Sequence, residues 1–259
     1  MLTTLSEIKQ TCRQWHFWVL LAWQDIQLRY RRSTLGPLWI TLSMSVTILL
    51  LGILYAKLFH QPIDVFLPYL ASGLIAWGFI STVITEGCQT FIESEYLLKQ
   101  IKIPLIVFCL RVSLRNSIIF LHNLLAFIGV IIFFKIVPDW NYLLLFPGLL
   151  LMILTSVPII LMVGMFCARF RDIPPVIGSI VQLLFFMTPI IWQADLLPHS
   201  HYIIRFNPVY YFVELIRKPL LGQAPSLSSW IVCTMTFFIL TVLSLILLKY
   251  YRARVVYWL

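Results

Sequence analysis

Charge is scarce in this sequence. Only 11% of its 259 residues are Asp, Glu, Lys or Arg, 61% are hydrophobic, and the mean hydropathy is +0.93. Soluble domains carry roughly a quarter charged residues and about half apolar ones, so this chain cannot cover a water-facing surface. Lipid has to be its solvent. Divided into spans of about 20 residues, the length allows six helices with short connections. It leaves no room for a nucleotide-binding domain of ordinary size.

Other absences remove whole classes of chemistry. No GxxxxGK[ST] phosphate cradle occurs, so the chain cannot hydrolyse ATP alone. HExxH and nucleophile-elbow motifs are also missing. Cys12, Cys88, Cys109, Cys167 and Cys233 are scattered without a CxxC and read as small residues in helix interfaces. His16, His60, His122, His199 and His201 are too dispersed for a metal site. The outward carboxylates Asp64, Asp139, Asp195 and Glu214 form no close pair, whereas a membrane glycosyltransferase is expected to group acids in an early outward loop. The apolar run Phe17 to Trp23 is followed by charges and not by a small-residue cleavage site, so the N-terminus does not read as a signal peptide. The net charge of +9 does not indicate nucleic acid, because no soluble basic face accompanies it.

What is present begins with an amphipathic segment. Leu5, Ile8, Cys12, Trp15, Val19, Ala22 and Ile26 recur every three or four residues, with charged and amide side chains between them. That spacing predicts one interfacial helix from Leu5 to about Arg32, its tryptophans at headgroup level. Asp25 and the cluster Arg29, Arg31, Arg32 argue against its being a span. Spans are expected over about Gly36 to Phe59, Val65 to Thr85, Ile103 to Phe134, Tyr142 to Ala168, Pro174 to Trp192 and Leu227 to Leu248. The domains are then residues 1–34 as the cytoplasmic interface helix, 35–250 as the six-helix membrane domain, and 251–259 as a cytoplasmic tail.

Basic residues assign the sides. With the N-terminus inside, one face receives Lys9, Arg13, Arg29, Arg31, Arg32, Lys99, Lys102, Arg169, Arg171, Lys249, Arg252 and Arg254, and Arg111 and Arg115 can snorkel to it. The other face receives only Lys57, Lys135, Arg205, Arg217 and Lys218. Both termini are therefore expected in the cytoplasm. Glu86, the one intramembrane acid, reads either as a proton-carrying group or as an interfacial carboxylate paired with Arg111 or a cytoplasmic lysine.

Three interruptions stand out. Residues 193–226 are too polar to span and too apolar for a loop, and suggest one or two short re-entrant helices or a helix flat on the outer surface. The stretch Glu93 to Lys102 and the stretch Ala168 to Pro174 each combine charge with exposed apolar or aromatic side chains. Such a stretch is either a docking knob for a cytoplasmic partner or a solvated loop.

The run from Asp25 to Trp39, DIQLRYRRSTLGPLW, resembles the approach to span one in ABC-2 type permeases of the branch that exports O-antigen, capsular polysaccharide and teichoic acid. The stretches 168–174 with 182–192, NPVYYF at 207–212 and RKPLLG at 217–222 are similar to later blocks of the same family, in order. The resemblance implies an all-α, six-span ABC-2 (type V) exporter fold in a bacterial inner membrane. It also implies a homodimer joined by two copies of a separate ATPase subunit, which holds the ATP and magnesium, and a lipid-linked polysaccharide as cargo. It places Arg29, Tyr30, Arg31 and Arg32 at a cytoplasmic entrance, where arginine forks meet a pyrophosphate headgroup. Glu93, Glu95, Tyr96, Leu97, Leu98, Lys99, Arg169, Phe170, Arg171 and Asp172 become ATPase contacts. Trp39, Tyr55, Trp77, Phe79, Phe185, Phe186 and Trp192 become channel aromatics, with Tyr210, Tyr211 and Phe212 as an outward gate. Competing readings are an ABC-2 permease for a small hydrophobic compound and a membrane-bound lipid- or sugar-modifying enzyme.

Overall fold

The computed structural model describes residues 4–31, 33–137, 139–194 and 201–259, and every regular element among them is helical. The predicted single interfacial helix is two, α1 (Thr4–Arg13) and α2 (Trp15–Arg29), broken where Gln14 leaves helical geometry. The break lets α1 dock. Glu7, 1% exposed, accepts the Leu105 N–H at 3.0 Å and an Arg252 guanidinium N–H at 2.9 Å. Leu105 opens a later helix, whose first N–H groups lack intrahelical partners and carry the positive end of the dipole, so a carboxylate is favoured there.

Among the described residues, five helical stretches are long and apolar enough to cross a membrane: α3 (Leu38–Leu58), α4 (Ile63–Gln89), α6 (Leu105–Phe134), Trp140–Arg169, and α11 (Leu227–Trp258). The fourth is a 3-10 turn, Trp140–Leu144, running into α7 (Leu145–Arg169). A short helix, α5 (Glu95–Gln100), lies between α4 and α6. The stretch expected as a cytoplasmic tail is the last turns of α11.

The fifth expected span, Pro174 to Trp192, is helical over only part of its length. Helix α8 (Ile173–Met187) has 15 residues, about 22 Å at 1.5 Å each and short of the roughly 30 Å of hydrocarbon. It stops at Thr188, which is extended because Pro189 follows and disfavours helix in its predecessor. Residues 188–193 run on without helix. The Tyr69 hydroxyl reaches the Pro189 and Trp192 carbonyls at 3.0 and 3.1 Å, and the Gln61 and Gln193 amides exchange hydrogen bonds at 3.0 and 2.9 Å. The segment therefore ends beside the α3–α4 turn.

Helix α4 is the hub. Two-thirds (67%) of its most apolar window is buried, against 11% for α3, so α4 is enclosed by protein and α3 forms an edge. Phe66, Leu70, Ile75, Phe79 and Val83 of α4 belong to one core with Phe120 and Phe127 of α6. Against α7 the backbones nearly touch: a Cβ on Gly164 would lie 3.0 Å from the Gly87 carbonyl oxygen. Small residues permit that approach where apolar solvent offers helices no hydrophobic drive to associate. Cys88, Cys109, Cys167 and Cys233 are all buried and free.

Helices α9 (His201–Arg205) and α10 (Pro208–Leu220) precede α11. Asn207 caps α10 by accepting the Val209 N–H at 3.0 Å, and Pro208 occupies its first turn, where no donor is needed. Helix α10 is inserted among α4, α7 and α11, with Phe212, Val213, Leu215 and Ile216 buried. Its last turn meets the start of the α7 stretch, Tyr142 donating to the Leu220 carbonyl at 2.9 Å. Its first turn shares an apolar hollow with Phe79 and Val83 of α4, Thr155 of α7 and Thr236 of α11. Phe79 lies about 24 Å along α4 from Ile63. Residues 195–200, and with them Asp195 and His199, fall outside the described residues.

Candidate functional site

The charged centre joins α2, α4 and α6. Asp25 takes Arg111 in a two-pronged contact, at 2.6 and 2.7 Å, and Arg115 at 2.8 Å. Glu86 takes Arg115 at 2.8 and 3.2 Å, Arg29 at 2.9 Å and the Asn116 amide at 2.8 Å. The expected pairing of Glu86 with Arg111 or a lysine is corrected: Asp25 lies between Arg111 and Arg115, and Glu86 is left to Arg115 and Arg29. Carboxylates in apolar surroundings keep their charge only when paired and hydrogen-bonded. Arg29, Arg111 and Arg115 face two acids, so the cluster retains one positive charge, and Arg29, 45% exposed, presents it. Arg31 is exposed beside it and Arg32 lies outside the described residues. Burial raises the Tyr30 phenol above its ordinary pKa against the opposing pull of Arg29, so it stays protonated.

From Tyr30 a groove of about 510 Å³ runs between α3, α4 and α6, lined by Tyr30, Trp39, Ser43, Met44, Thr47, Trp77, Gly78 and Asn123, with Ile40, Leu74 and Ile119. Three of the nominated residues meet here: Tyr30, Trp39 and Trp77. Trp77 leans on Phe185 at 5.5 Å, Phe185 sits edge-on to Phe186 at 5.4 Å, and the Trp192 indole donates to the Phe186 carbonyl at 3.1 Å. One aromatic chain thus passes from the groove to α8.

Other nominated residues lie elsewhere. Phe79 is buried edge-on to Phe120 at 5.8 Å. Two residues turn a helix by about 200°, so Trp77 and Phe79 face opposite sides of α4. Tyr55 stacks on Phe59 at 5.8 Å, away from the groove. Phe212 is buried beside Phe79, whereas Tyr210 and Tyr211 are half-buried and edge-on at 5.2 Å.

A four-residue repeat runs along α3 and α4 beyond the residues nominated from the sequence. Trp39, Ser43 and Thr47 on α3, and Trp77, Ser81 and Thr85 on α4, each step by four residues and so align along one helix face. Thr47, Ser81 and Thr85 give their hydroxyl protons to carbonyls of their own helices, at 2.9, 3.2 and 2.9 Å. Their oxygen lone pairs remain as acceptors. The stripe offers aromatic faces and hydroxyl acceptors without formal charge.

The connection from α4 to α6 and that from α7 to α8 form one surface. Arg171 reaches Glu95 of α5 at 3.3 Å and the Leu259 main-chain oxygen at 2.5 Å, and Glu95 also pairs with Lys99 at 2.6 Å. Arg169 lies 5.1 Å from the Phe170 ring and 5.4 Å from that of Trp258. Glu93, Tyr96, Lys99, Phe170 and Asp172 are exposed, and Leu97 is half-buried. Leu98 is buried and anchors α5 to the core, so it offers no docking contact.

Lys99 holds the Glu95 carboxyl below the usual carboxylate range by hydrogen bonding and charge, with help from Arg171. A depressed pKa gives stability that is full above the unfolded value and lost as pH falls through the folded one. Hydrogen exchange should therefore show α5 amides equally protected from pH 8 to 5, with protection falling only below about pH 4. Loss of protection near neutrality would refute this account of the α5 contact.

A family model described as ABC-2 type transporter matches residues 16–221. The chain is similar to the O-antigen export system permease protein RfbA of Myxococcus xanthus, 26% identical over 178 residues, covering 68% of each chain. It is also similar to two proteins of that name from Klebsiella pneumoniae. One is 23% identical over 246 residues, 92% of this chain and 93% of the relative, and the other 22% over 197 residues, 74% of each.

Proposed function

The chain belongs to the ABC-2 type transporter family, and from that membership we propose that it is the permease subunit of an exporter moving a lipid-linked, O-antigen-like polysaccharide across a bacterial inner membrane. It is a transport subunit, and a separate ABC ATPase subunit supplies the energy. In this reading two copies of the chain meet two ATPase copies, which bind the ATP and magnesium.

The observation that carries the glycan reading is the uncharged groove beside a cationic mouth. Sugar rings present apolar faces that stack on Trp39 and Trp77, and their hydroxyls donate to the oxygens of Ser43 and Thr47. Arg29 and Arg31 lie at its mouth, with Arg32 next in sequence, where an anionic headgroup is held by guanidinium forks. A small hydrophobic cargo has no use for the hydroxyls.

Six crossings follow if α8 and residues 188–193 together traverse the membrane, a reading supported by the Gln61–Gln193 pair at the far end. Both termini then share the basic, cytoplasmic side, since Glu7 contacts Arg252 and Arg171 contacts Leu259. Helix α10 is the re-entrant element, entering from the side of Tyr142, so a gate formed by Tyr210 and Tyr211 lies at its deep end within the bundle. A second copy covers the edge helices α3 and α8 and closes the groove into a channel. The joined surface of α5, Tyr96, Phe170 and Asp172 receives the ATPase.

The test is co-purification with the ATPase encoded beside it, followed by ATP hydrolysis with and without lipid-linked glycan. The complex should form and be stimulated by the glycan. Arg31→Ala with Arg32→Ala should cut stimulation and export by about tenfold, as expected for loss of two charged hydrogen-bonding groups, without changing membrane insertion. Wild-type export in that double variant would remove the headgroup role.

A further inference from the structure

One side chain in the groove is out of keeping with its surroundings. Asn123 of α6 is 7% exposed, lines the groove, and its Oδ1 has no hydrogen-bond partner among the described residues. Buried amide oxygens are almost always satisfied, and more so at hydrocarbon depth, where water is scarce. The neighbouring backbone is held firmly: Thr41 of α3 donates to the His122 carbonyl at 2.8 Å, locking α3 against α6 at this level. Asn123 lies about 12 Å along α6 from Arg115, on the far side of the charged mouth. Around it stand Trp39, Trp77, Ser43 and Thr47.

We propose that Asn123 is the sugar-reading residue of this groove: its amide oxygen accepts from a hydroxyl of a sugar residue close to the lipid anchor while the Trp39 and Trp77 rings take the apolar faces. The proposal rests on the export reading and sharpens it. The arginine mouth recognises the anionic headgroup common to many carriers, and Asn123 is the point at which one glycan is told from another. The physics favours this division. Stacking tolerates any ring with an apolar face, whereas a buried acceptor built for a hydroxyl rejects a ligand that leaves it unpaired. Serine and threonine oxygens on α3 supply further acceptors but sit on the exposed wall, where packing does not fix them against one ligand group.

The test uses the full chain in lipid nanodiscs and two probes: polyprenyl diphosphate-linked glycan isolated from the producing cells, and the same polyprenyl diphosphate without sugar. Wild type should bind the glycan-bearing probe more tightly. Asn123→Leu, with the same number of side-chain heavy atoms and the same branching but unable to accept, should lose about tenfold in affinity for it, the size expected for one buried hydrogen bond to a ligand hydroxyl. Binding of the sugar-free probe should not change. Trp39→Ala, on the exposed groove wall, should show the same selective loss.

The melting temperature of ligand-free Asn123→Leu should equal or exceed that of wild type, because the amide oxygen it removes had no protein partner. A lowered melting temperature would assign the amide to packing and overturn the proposal. So would a glycan preference that survives in Asn123→Leu, or wild type that binds both probes equally, and either result leaves transport of the lipid carrier standing. Wild type that binds neither probe would instead overturn the export reading itself.

Discussion

Purified Glu86→Ala protein is expected to melt roughly 10 °C below wild type, corresponding to about 3–5 kcal/mol at the few degrees per kcal/mol typical of chains this long. The magnitude comes from what the truncation leaves behind. Glu86 satisfies Arg115, Arg29 and Asn116 at once, and the Arg115 side chain is only 11% exposed. Without Glu86, Arg115 keeps Asp25 alone, which Arg111 already occupies with both oxygens. A buried guanidinium would then lack compensation, and α2 would lose its tie to α4. Glu86→Gln should do less harm, since an amide oxygen still accepts two of these bonds. Replacing Arg29, the exposed partner, should cost under about 1 kcal/mol because Arg115 and Asn116 still hold Glu86 and solvent takes the place of the lost guanidinium. Equal melting of Glu86→Ala and wild type would show that the network adds nothing to stability and that Glu86 serves another purpose.

Arg217→Ala should be of similar severity, at about 3–5 kcal/mol. This arginine, expected at the outer face, is buried with 1% of its side chain exposed. It donates to the Tyr69 hydroxyl at 2.9 Å and to Glu214 at 3.2 Å, and its guanidinium lies 4.0 Å from the Tyr69 ring centroid. Tyr69 in turn reaches the carbonyls that follow α8. One side chain therefore ties α10 to α4 and, through Tyr69, to the end of α8. Its Nε and Nη2 have no partners among the described residues, so the net worth of the pair is small. The cost arises from stranding Glu214 with only Lys218 at 3.9 Å.

Two further variants separate these effects. Arg217→Met combined with Glu214→Leu removes both charges and should stay within about 1–2 kcal/mol of wild type. Gly73→Val should reproduce the defect of Arg217→Ala, because a Cβ at Gly73 collides with the guanidinium. If the double variant is as unstable as Arg217→Ala, charge stranding is the wrong explanation.

Much of this could be read along the chain. The long helices lie close to the uncharged runs, and Pro189 ends α8 where proline chemistry requires it. The Trp-Ser-Thr spacing on α3 and α4 was present in the sequence too, but hydroxyls within apolar runs look like packing until the fold sets Ser43 and Thr47 beside Trp39 and Trp77 in one groove. The break at Gln14 carries no proline or glycine to announce it; α1 turns because Glu7 finds Leu105 and Arg252. Phe79 and Trp77 are equally aromatic and equally plausible channel residues on paper. Helix rotation separates them.

By itself the sequence determined the solvent of each segment, since hydropathy is a local property summed over about 20 residues. Helix positions, the basic side and the polar interruptions all follow from that sum. Only the tertiary structure decided which acid meets which arginine, which aromatic faces the groove, and that α10 enters the bundle instead of lying across its end. Those outcomes depend on the rotation and crossing of helices far apart in the chain. Distant side chains set them jointly, and no window of neighbouring residues contains that information. The absence of charge said where the chain would meet lipid; the few charges it has found their partners only when α2, α4, α6 and α10 packed together.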